Sequence, residues 1–469
     1  MQLRDYQLQA VSDLRKALKK HRSALYCLPT GGGKSAIMGE IARLLALRKK
    51  QTLLLVHKDE LVAQLCEHLW ECGLGEEYGV IQAGKPVTPW KLFHVAMVQT
   101  LYRRMKSLRW LNPDAILVDE AHHAKALTWE TVLDYWMNAK VVGFTATPRR
   151  LDNKPLGDIF SSLVLGPDMK TLISRGLLCP IHIKSIPGSL DADGVNITAG
   201  EFNKKQMNDR VNAKVIGEAA SAYMRYAEGK RAIFFGQSIQ HSEGVAERLR
   251  ERGVRAKHVD GKTDRYARAA IINDYKRGDL DVLCNVGIAT EGVDIPSCAV
   301  VILGRPTASL TFYRQAIGRG TRPDHGKTLL VLDLANNWAR HGTPDTEPPW
   351  DLHTKVDTKT VNRNPAVPHF RVCPSCATVY ANRLPACPNC GESKPTKQPD
   401  ERDIPLVDVY RSSMVGRSIA PPVTREDLHA MLIRSVATNE GRAGLERIRK
   451  QQGYSDDWVD RMAHVLEVK

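Results

Sequence analysis

Long apolar runs are missing from this chain. None approaches the roughly eighteen residues that a membrane-spanning helix needs, so no bilayer span is expected. An apolar leader is missing too: the chain opens Met1-Gln2-Leu3-Arg4-Asp5, and no secretory signal is expected. Acidic residues are scarce beside basic ones, 52 against 67. The difference of +15 points to a polyanionic partner, most simply nucleic acid. Cysteine is sparse outside one cluster. Six of the ten cysteines, Cys27, Cys66, Cys72, Cys179, Cys284 and Cys298, are scattered through apolar or helical stretches. They read as reduced thiols, and the expected location is the cytoplasm. No carboxylate–lysine nuclease pattern stands outside the motifs described below, and no long wedge-like insertion is evident.

What the chain does have is size and order. Its 469 residues, 43% of them hydrophobic, suffice for about two to four domains with substantial cores. The organising stretch is Leu28-Pro29-Thr30-Gly31-Gly32-Gly33-Lys34-Ser35. It follows a strand-like run, Ser23 to Leu28, and precedes a helical pattern, Ala36 to Leu47. Three successive glycines let backbone N–H groups turn onto a polyphosphate, and the helix that follows points its positive end at the same anion. In this reading Thr30, Gly31, Gly32 and Gly33 cradle the phosphates, Lys34 reaches the β- and γ-phosphates, and Ser35 ligates Mg²⁺. Leu28 stands where the GxxxxGK[ST] form has its first Gly, so an ordinary Gly-rich turn is the competing reading. Gln7, about twenty-five residues upstream, could offer its amide to an adenine edge or could simply open a helix.

Four further apolar runs end in polar clusters. Thr52 to Val56 ends in His57-Lys58-Asp59-Glu60, and His94 to Val98 ends in Gln99-Thr100. Ala115 to Val118 ends in Asp119-Glu120-Ala121-His122, and Val141 to Phe144 in Thr145-Ala146-Thr147-Pro148. Helical stretches separate them, so the expected sheet is parallel, helix-covered and functional at its strand C-termini. Asp119 is placed to hold Mg²⁺ through water, and Glu120 to polarise the water that attacks the γ-phosphate. A helix N-cap is the plain alternative for Asp119. His122 would bridge this chemistry to the Thr145–Thr147 loop, while His123 reads as a bystander.

At these motifs the chain resembles the superfamily 2 helicases of the DEAH type. The resemblance implies ATP and Mg²⁺ at Gln7, Lys34, Ser35, Asp119 and Glu120. It implies that His57, Lys58, Gln99 and Thr100 track a nucleic acid backbone, and that Thr145 and Thr147 couple hydrolysis to domain movement.

The second half repeats the pattern without a phosphate loop. Arg231 to Phe235, Ala256 to Val259, Asp281 to Asn285, Val300 to Leu303 and Leu329 to Asp333 read as strands of another parallel unit. In Arg314-Gln315-Ala316-Ile317-Gly318-Arg319-Gly320-Thr321-Arg322, spacings of three and four put Gln315, Arg319 and Arg322 on one side of a short helix and the turn after it. Guanidinium forks there suit a phosphate developing charge, and a solvated basic helix end is the bland alternative. The helicase resemblance makes them arginine fingers. It also puts Gly292 and Asp294 on the nucleotide side of the cleft, and Gln237, Thr263 and Thr290 on the nucleic acid backbone. Arg305 to Leu310, Leu332 to Asn337 and Arg340-His341-Gly342 extend the resemblance to the RadD-type DNA-repair ATPases of bacteria and phages.

Two CxxC pairs, Cys373/Cys376 and Cys387/Cys390, stand ten residues apart, a spacing suited to one tetrahedral Zn²⁺. Redox or disulfide use of these cysteines is the alternative. The expected plan is α/β: RecA-like domains at 1–165 and 166–345, a linker or extended arm at 346–370, a zinc ribbon at 371–395, a linker at 396–423 and a short helical region at 424–469. In the last, Leu428, Met431, Leu432 and Val436 form a packing face, and Trp458 reads as core.

The expected function is an ATP-driven nucleic acid motor, DNA favoured over RNA, in repair, recombination or replication, with replication or repair proteins as candidate partners. The expected origin is bacterial or phage. An ATP-gated DNA clamp or recruitment switch, an RNA helicase and a restriction motor are the alternatives. Purified protein should carry zinc by elemental analysis, and Cys376→Ser should lower its content; protein without zinc would refute the ribbon.

Overall fold

The computed structural model describes residues 3–75, 78–123, 126–150, 155–185, 190, 192, 194–198, 200–288, 298–324, 326–353, 370–372, 379–381, 386, 391 and 407–412. Two parallel sheets organise the chain. The first comprises β1 (Ser23–Cys27), β2 (Thr52–Val56), β3 (Tyr78–Ile81), β4 (Phe93–Met97), β5 (Ala115–Val118), β6 (Lys140–Thr145) and β7 (Leu163–Leu165). Their spatial order is β3-β4-β2-β5-β6-β1-β7, and every pairing is parallel. The central strands are apolar on both faces because both faces are covered. Helices α1 (Asp5–Lys20), α2 (Lys34–Ala46) and α3 (Asp59–Leu69) pack on Leu54, Val56, Leu117 and Val142. Helices α4 (Val98–Arg104) and α5 (Ala126–Tyr135) pack on Leu53, Leu55, Ile116 and Val141. β3 and β7, which the sequence reading did not include, are the two edges.

The chain reaches the second sheet through α6 (Met169–Ser174) and β8 (Ile181–Ser185). A small insertion follows, the hairpin β9 (Ile197–Thr198) and β10 (Glu201–Phe202) with α7 (Lys204–Asn208), and then α8 (Ala213–Ala227). The repeating unit is β11 (Ala232–Phe235), α9 (Ile239–Arg250), β12 (Ala256–Val259), α10 (Arg265–Arg277), β13 (Val282–Asn285), β14 (Val300–Leu303), α11 (Leu310–Gly318), β15 (Leu329–Asp333) and α12 (Asn337–His341). Beyond it lie the two-stranded pair β16 (Phe370–Val372) and β17 (Val379–Ala381), and β18 (Val407–Arg411).

The second sheet runs β12-β13-β11-β14-β15-β8-β18. Six of its strands are parallel, while β18, from a stretch read as linker, joins the β8 edge antiparallel. One apolar cluster is continuous from the first unit (Leu28, Leu54) through Leu172, Leu178 and Cys179 to the second (Ile233, Val301, Ile317). The units therefore share a core rather than meeting only at polar loops. Among the described residues no helix is long and apolar enough to cross a membrane.

Residues 343–353, expected as domain end and arm, pack back across both units. Leu352 is 4% exposed among Leu156 and Phe160 of the first unit, and its carbonyl accepts the Gly157 N–H at 2.8 Å.

His241, in the first turn of α9, is wholly buried. It accepts the Gln237 N–H at 3.3 Å through Nδ1 and lies edge-on to Phe234. Burial pushes its pKa down to about 4. The folded state then resists a proton that the unfolded chain takes up near pH 6.5. Its contribution is therefore complete above pH 6.5 and is lost as pH falls toward 4. Urea midpoints of the second unit should decline between pH 7 and 5, and His241→Gln should flatten that slope.

Candidate nucleotide site between the two units

The phosphate loop forms at the C-terminal end of β1 and opens α2. Gly31 and Gly33 take φ of +84° and +87°, left-handed values that favour glycine. Space demands glycine as well. A Cβ on Gly33 would lie 2.5 Å from Gln7 Nε2, and one on Gly32 would lie 2.8 Å from Leu28 Cγ. Leu28 is fully buried beneath the loop and fills the place of the missing first glycine. Tyr6 ties the loop down, its hydroxyl donating to the Gly32 carbonyl at 2.6 Å. Gln7 is also buried; its Oε1 accepts the Arg4 N–H at 2.9 Å, leaving its amide nitrogen beside Gly33. Lys34 Nζ donates to the Leu28 carbonyl at 3.2 Å, inside the turn of the loop.

Asp119 and Glu120 follow β5. Burial first, and the neighbouring Glu120 second, push the Asp119 carboxyl upward, while Lys34 pulls it down. Its Oδ1 accepts the Glu120 N–H at 3.0 Å. Glu120 has φ +47°, a conformation that L residues rarely adopt and that costs about 1–3 kcal/mol. Its Oε2 is buried without a hydrogen bond, 3.4 Å from His122 Nδ1. A strained acid next to a half-buried one, with a lysine alongside, is a site that gains from a cation and a polyphosphate.

His122 is the hub. It is 1% exposed, with Nδ1 3.1 Å from Thr145 Oγ1 and Nε2 3.2 Å from Gln315 Nε2. The Gln315 amide donates to Nε2, so Nδ1 carries the ring proton toward Thr145. The Thr145 hydroxyl donates in turn to the Thr147 carbonyl at 2.7 Å. The Thr147 hydroxyl meets Thr311 Oγ1 of the second unit at 2.7 Å. His123, read as a bystander, stacks on His57 at 3.9 Å between ring centroids and lies 4.3 Å from the His122 ring. An imidazole directly after the hub, with a histidine ending the adjacent β2, was the available signal.

α11 is the second unit's contribution. Thr311, Gln315 and Gly318 lie at i, i+4 and i+7, one stripe of a helix. They sit on Thr147, His122 and Thr30 respectively. Gly318 is essential to the fit, because a Cβ there would be 2.5 Å from Thr30 Cβ. A Cβ on Gly31 would in turn be 3.1 Å from Thr321 Oγ1. Arg319 caps α11 beside this contact and is half-buried, whereas Arg322 lies in the exposed turn beyond.

The residues expected on nucleic acid are dispersed. Gln99 and Thr100 lie in the first turn of α4, Thr100 being buried. Thr263 is engaged within its own turn, its hydroxyl donating to Asp260 Oδ1 at 2.8 Å. Gln237 lines a cavity of about 520 Å³ with Lys204, Asn208, Ser238, Gly287 and Arg305. Thr290, Gly292 and Asp294 lie outside the described residues, as do Cys373, Cys376, Cys387 and Cys390 and the 424–469 region. Among the described residues no group of three His, Cys, Asp or Glu could hold a metal ion by itself.

Residues 1–150 match the family model for the type III restriction enzyme res subunit, and residues 214–324 that for the helicase conserved C-terminal domain. The chain is 31% identical over 385 residues to a 51.5 kDa protein of a Lactococcus phage (isolate 7-9), covering 81% of each. It is 28% identical over 358 residues to the putative ATP-dependent helicase IRC3 of Saccharomyces cerevisiae, covering 69% of this chain and 50% of that one. The fold is shared with a fragment of a putative HsdR subunit of a type I restriction enzyme from Vibrio vulnificus (TM-score 0.57, 21% identity, 72% of this chain and 65% of that one). It is also shared with the type ISP restriction-modification enzyme LlaBIII bound to DNA (TM-score 0.54, 19% identity, 71% of this chain and 28% of that one).

Gly318→Ala should lift α11 from Thr30. Overpacking of this kind costs ~1–3 kcal/mol, so turnover of ATP should fall about tenfold or more. Thr30→Gly in the same chain should recover part of the loss in steady-state assays.

Proposed function

The chain belongs to the superfamily 2 helicases and is an ATP-hydrolysing enzyme, and on that premise we propose that it is a DNA-stimulated motor whose ATPase site is completed across the cleft between its two units. The observation that carries this reading is the direct seating of α11 on the phosphate loop, His122 and Thr147. In this reading Lys34 and the loop of Thr30 to Gly33 bind the phosphates, and Gln7 reads the adenine. Ser35 and Asp119 would hold Mg²⁺, which would neutralise phosphate charge when bound. Glu120 orients the attacking water. Arg319 and Arg322 approach the γ-phosphate, with Gly292 and Asp294 on the same side of the cleft. Gln315 senses the first unit through His122, and the Thr145–Thr147 loop passes its state to Thr311. His57, Lys58, Gln99, Thr100, Gln237, Thr263 and Thr290 face the nucleic acid backbone. DNA is favoured by the net charge of +15 and by the likeness to a restriction enzyme bound to DNA.

The chain spans about half the length of the yeast relative it matches, so its cellular role is proposed on the RadD-type resemblance: repair, recombination or replication of bacterial or phage DNA. The four cysteines are assigned to Zn²⁺. The fit rests on the spacing of the two CxxC pairs, the first of which falls in sequence between β16 and β17.

ATPase rates should be measured at fixed salt with no nucleic acid, single-stranded DNA, forked duplex and RNA. DNA should stimulate more than RNA, and a rate indifferent to all of them would sink the motor reading. Lys34→Ala and Glu120→Gln should each abolish turnover, with Glu120→Gln still binding ATP. Strand-displacement assays separate unwinding from ATP-gated clamping.

A further inference from the structure

The segment that leaves α12 does not stay with the second unit. It crosses to the first as a strap, residues 343–353, and on the way it grips α11 at Arg314, on the flank of the stripe that meets the cleft. Arg314, adjacent to Gln315, has a side chain only 6% exposed, and its guanidinium hydrogen-bonds to the strap. Its Nη1 donates to both Glu347 oxygens at 3.0 Å, and its Nη2 to the Thr346 carbonyl. Trp350 closes the arrangement. Its indole N–H donates to Glu347 Oε2 at 2.5 Å, and the Arg314 guanidinium lies 5.2 Å from its ring centroid.

The same indole contacts the first unit. Arg149, two residues after Thr147, lies 5.4 Å from the Trp350 centroid. Burial lowers the Arg149 pKa, and Asp351 on the strap is the charge that opposes this. Beyond Trp350, Leu352 plugs into the first unit's core, and Gly157 must lack a side chain there, since its Cβ would meet the Leu352 carbonyl at 2.7 Å. One aromatic ring thus stands between two guanidinium groups, one from the exit of the Thr145–Thr147 loop and one from the helix that carries Gln315 and Arg319. Reorienting either arginine forfeits its contact with the ring, because cation–π contacts weaken with displacement from the ring face.

We propose that Glu347 and Trp350 are positioning residues for ATP hydrolysis. They fix the rotation of α11 through Arg314 and link it to the Thr147–Arg149 loop, so that Gln315 and Arg319 meet the nucleotide site only when that loop is in place. The inference rests on the assignment of α11 as the carrier of the trans-acting arginines. The strap holds α11 through Arg314 and the first unit through Gly157, so its effect falls on turnover rather than on ATP affinity.

The test uses the full chain with Trp350→Ala, Trp350→Phe, Glu347→Gln and Arg319→Ala. For each variant, kcat and KM for ATP are measured with saturating single-stranded DNA, and ATP affinity by equilibrium binding. Trp350→Ala and Glu347→Gln should lower kcat roughly threefold to tenfold with ATP affinity within about twofold of the parent. Trp350→Phe keeps an aromatic face and should recover most of the rate, which a chain damaged in folding would not do. Unchanged kcat in Trp350→Ala and Glu347→Gln, with Arg319→Ala inactive, overturns the strap inference and leaves the site reading intact. Parallel loss of affinity and rate, not relieved by phenylalanine, also overturns it. Full turnover in Arg319→Ala instead removes the assignment of α11, and the inference with it.

Discussion

The contact between Gly318 and Thr30 leaves no room for a single methyl group, and the geometry of the cleft follows from it. A helix that can approach a phosphate loop to backbone distance brings its whole stripe with it. Thr311 and Gln315 then fall onto Thr147 and His122 without further adjustment. Interfaces packed this tightly are two-state rather than continuously deformable. A helix one methyl too far away loses three contacts together, which makes the seat a switch and not a dial.

The interior of the site is arranged around unfavourable choices that have partners elsewhere. Glu120 is held in a left-handed conformation, Asp119 sits half-buried beside another carboxylate, and Lys34 turns onto its own loop. The left-handed backbone and the paired carboxylates cost free energy in the protein alone, and a cation beside the carboxylates would offset their repulsion. His122 converts that local change into a long-range one, since its two ring nitrogens face different units. Rotation of the ring to keep one of these bonds necessarily disturbs the other.

The strands of both units were legible because buried parallel strands are short apolar runs, and because the polar residues that follow them are left at one edge. β3 and β7 were not, since Tyr78-Gly79-Val80-Ile81 is broken by glycine and Leu163–Leu165 is three residues long. The residue types of the site could be read from motif spacing. Its assembly could not: Thr311, Gly318 and Trp350 carry no local signature, and their roles exist only where separate segments converge. His123 illustrates the same point, since its stacking partner His57 lies on a different strand end. The arm and the second linker were read from composition. Proline and charge there concealed Leu352, whose burial is tertiary, and the short β18.

β18 gives the second unit a boundary that differs from its boundary in sequence. It lies more than fifty residues beyond the strap, yet it covers the free edge of β8, with the Ser412 N–H bonded to the Ile181 carbonyl at 2.7 Å. A fragment ended at residue 353 would retain every described residue of the cleft and would still present Ile181–Ser185 as an open row of backbone donors and acceptors. Such edges recruit other strands. The hazard of trimming this chain to its nucleotide-facing part is therefore colloidal rather than catalytic: self-association through the uncovered edge of the second sheet.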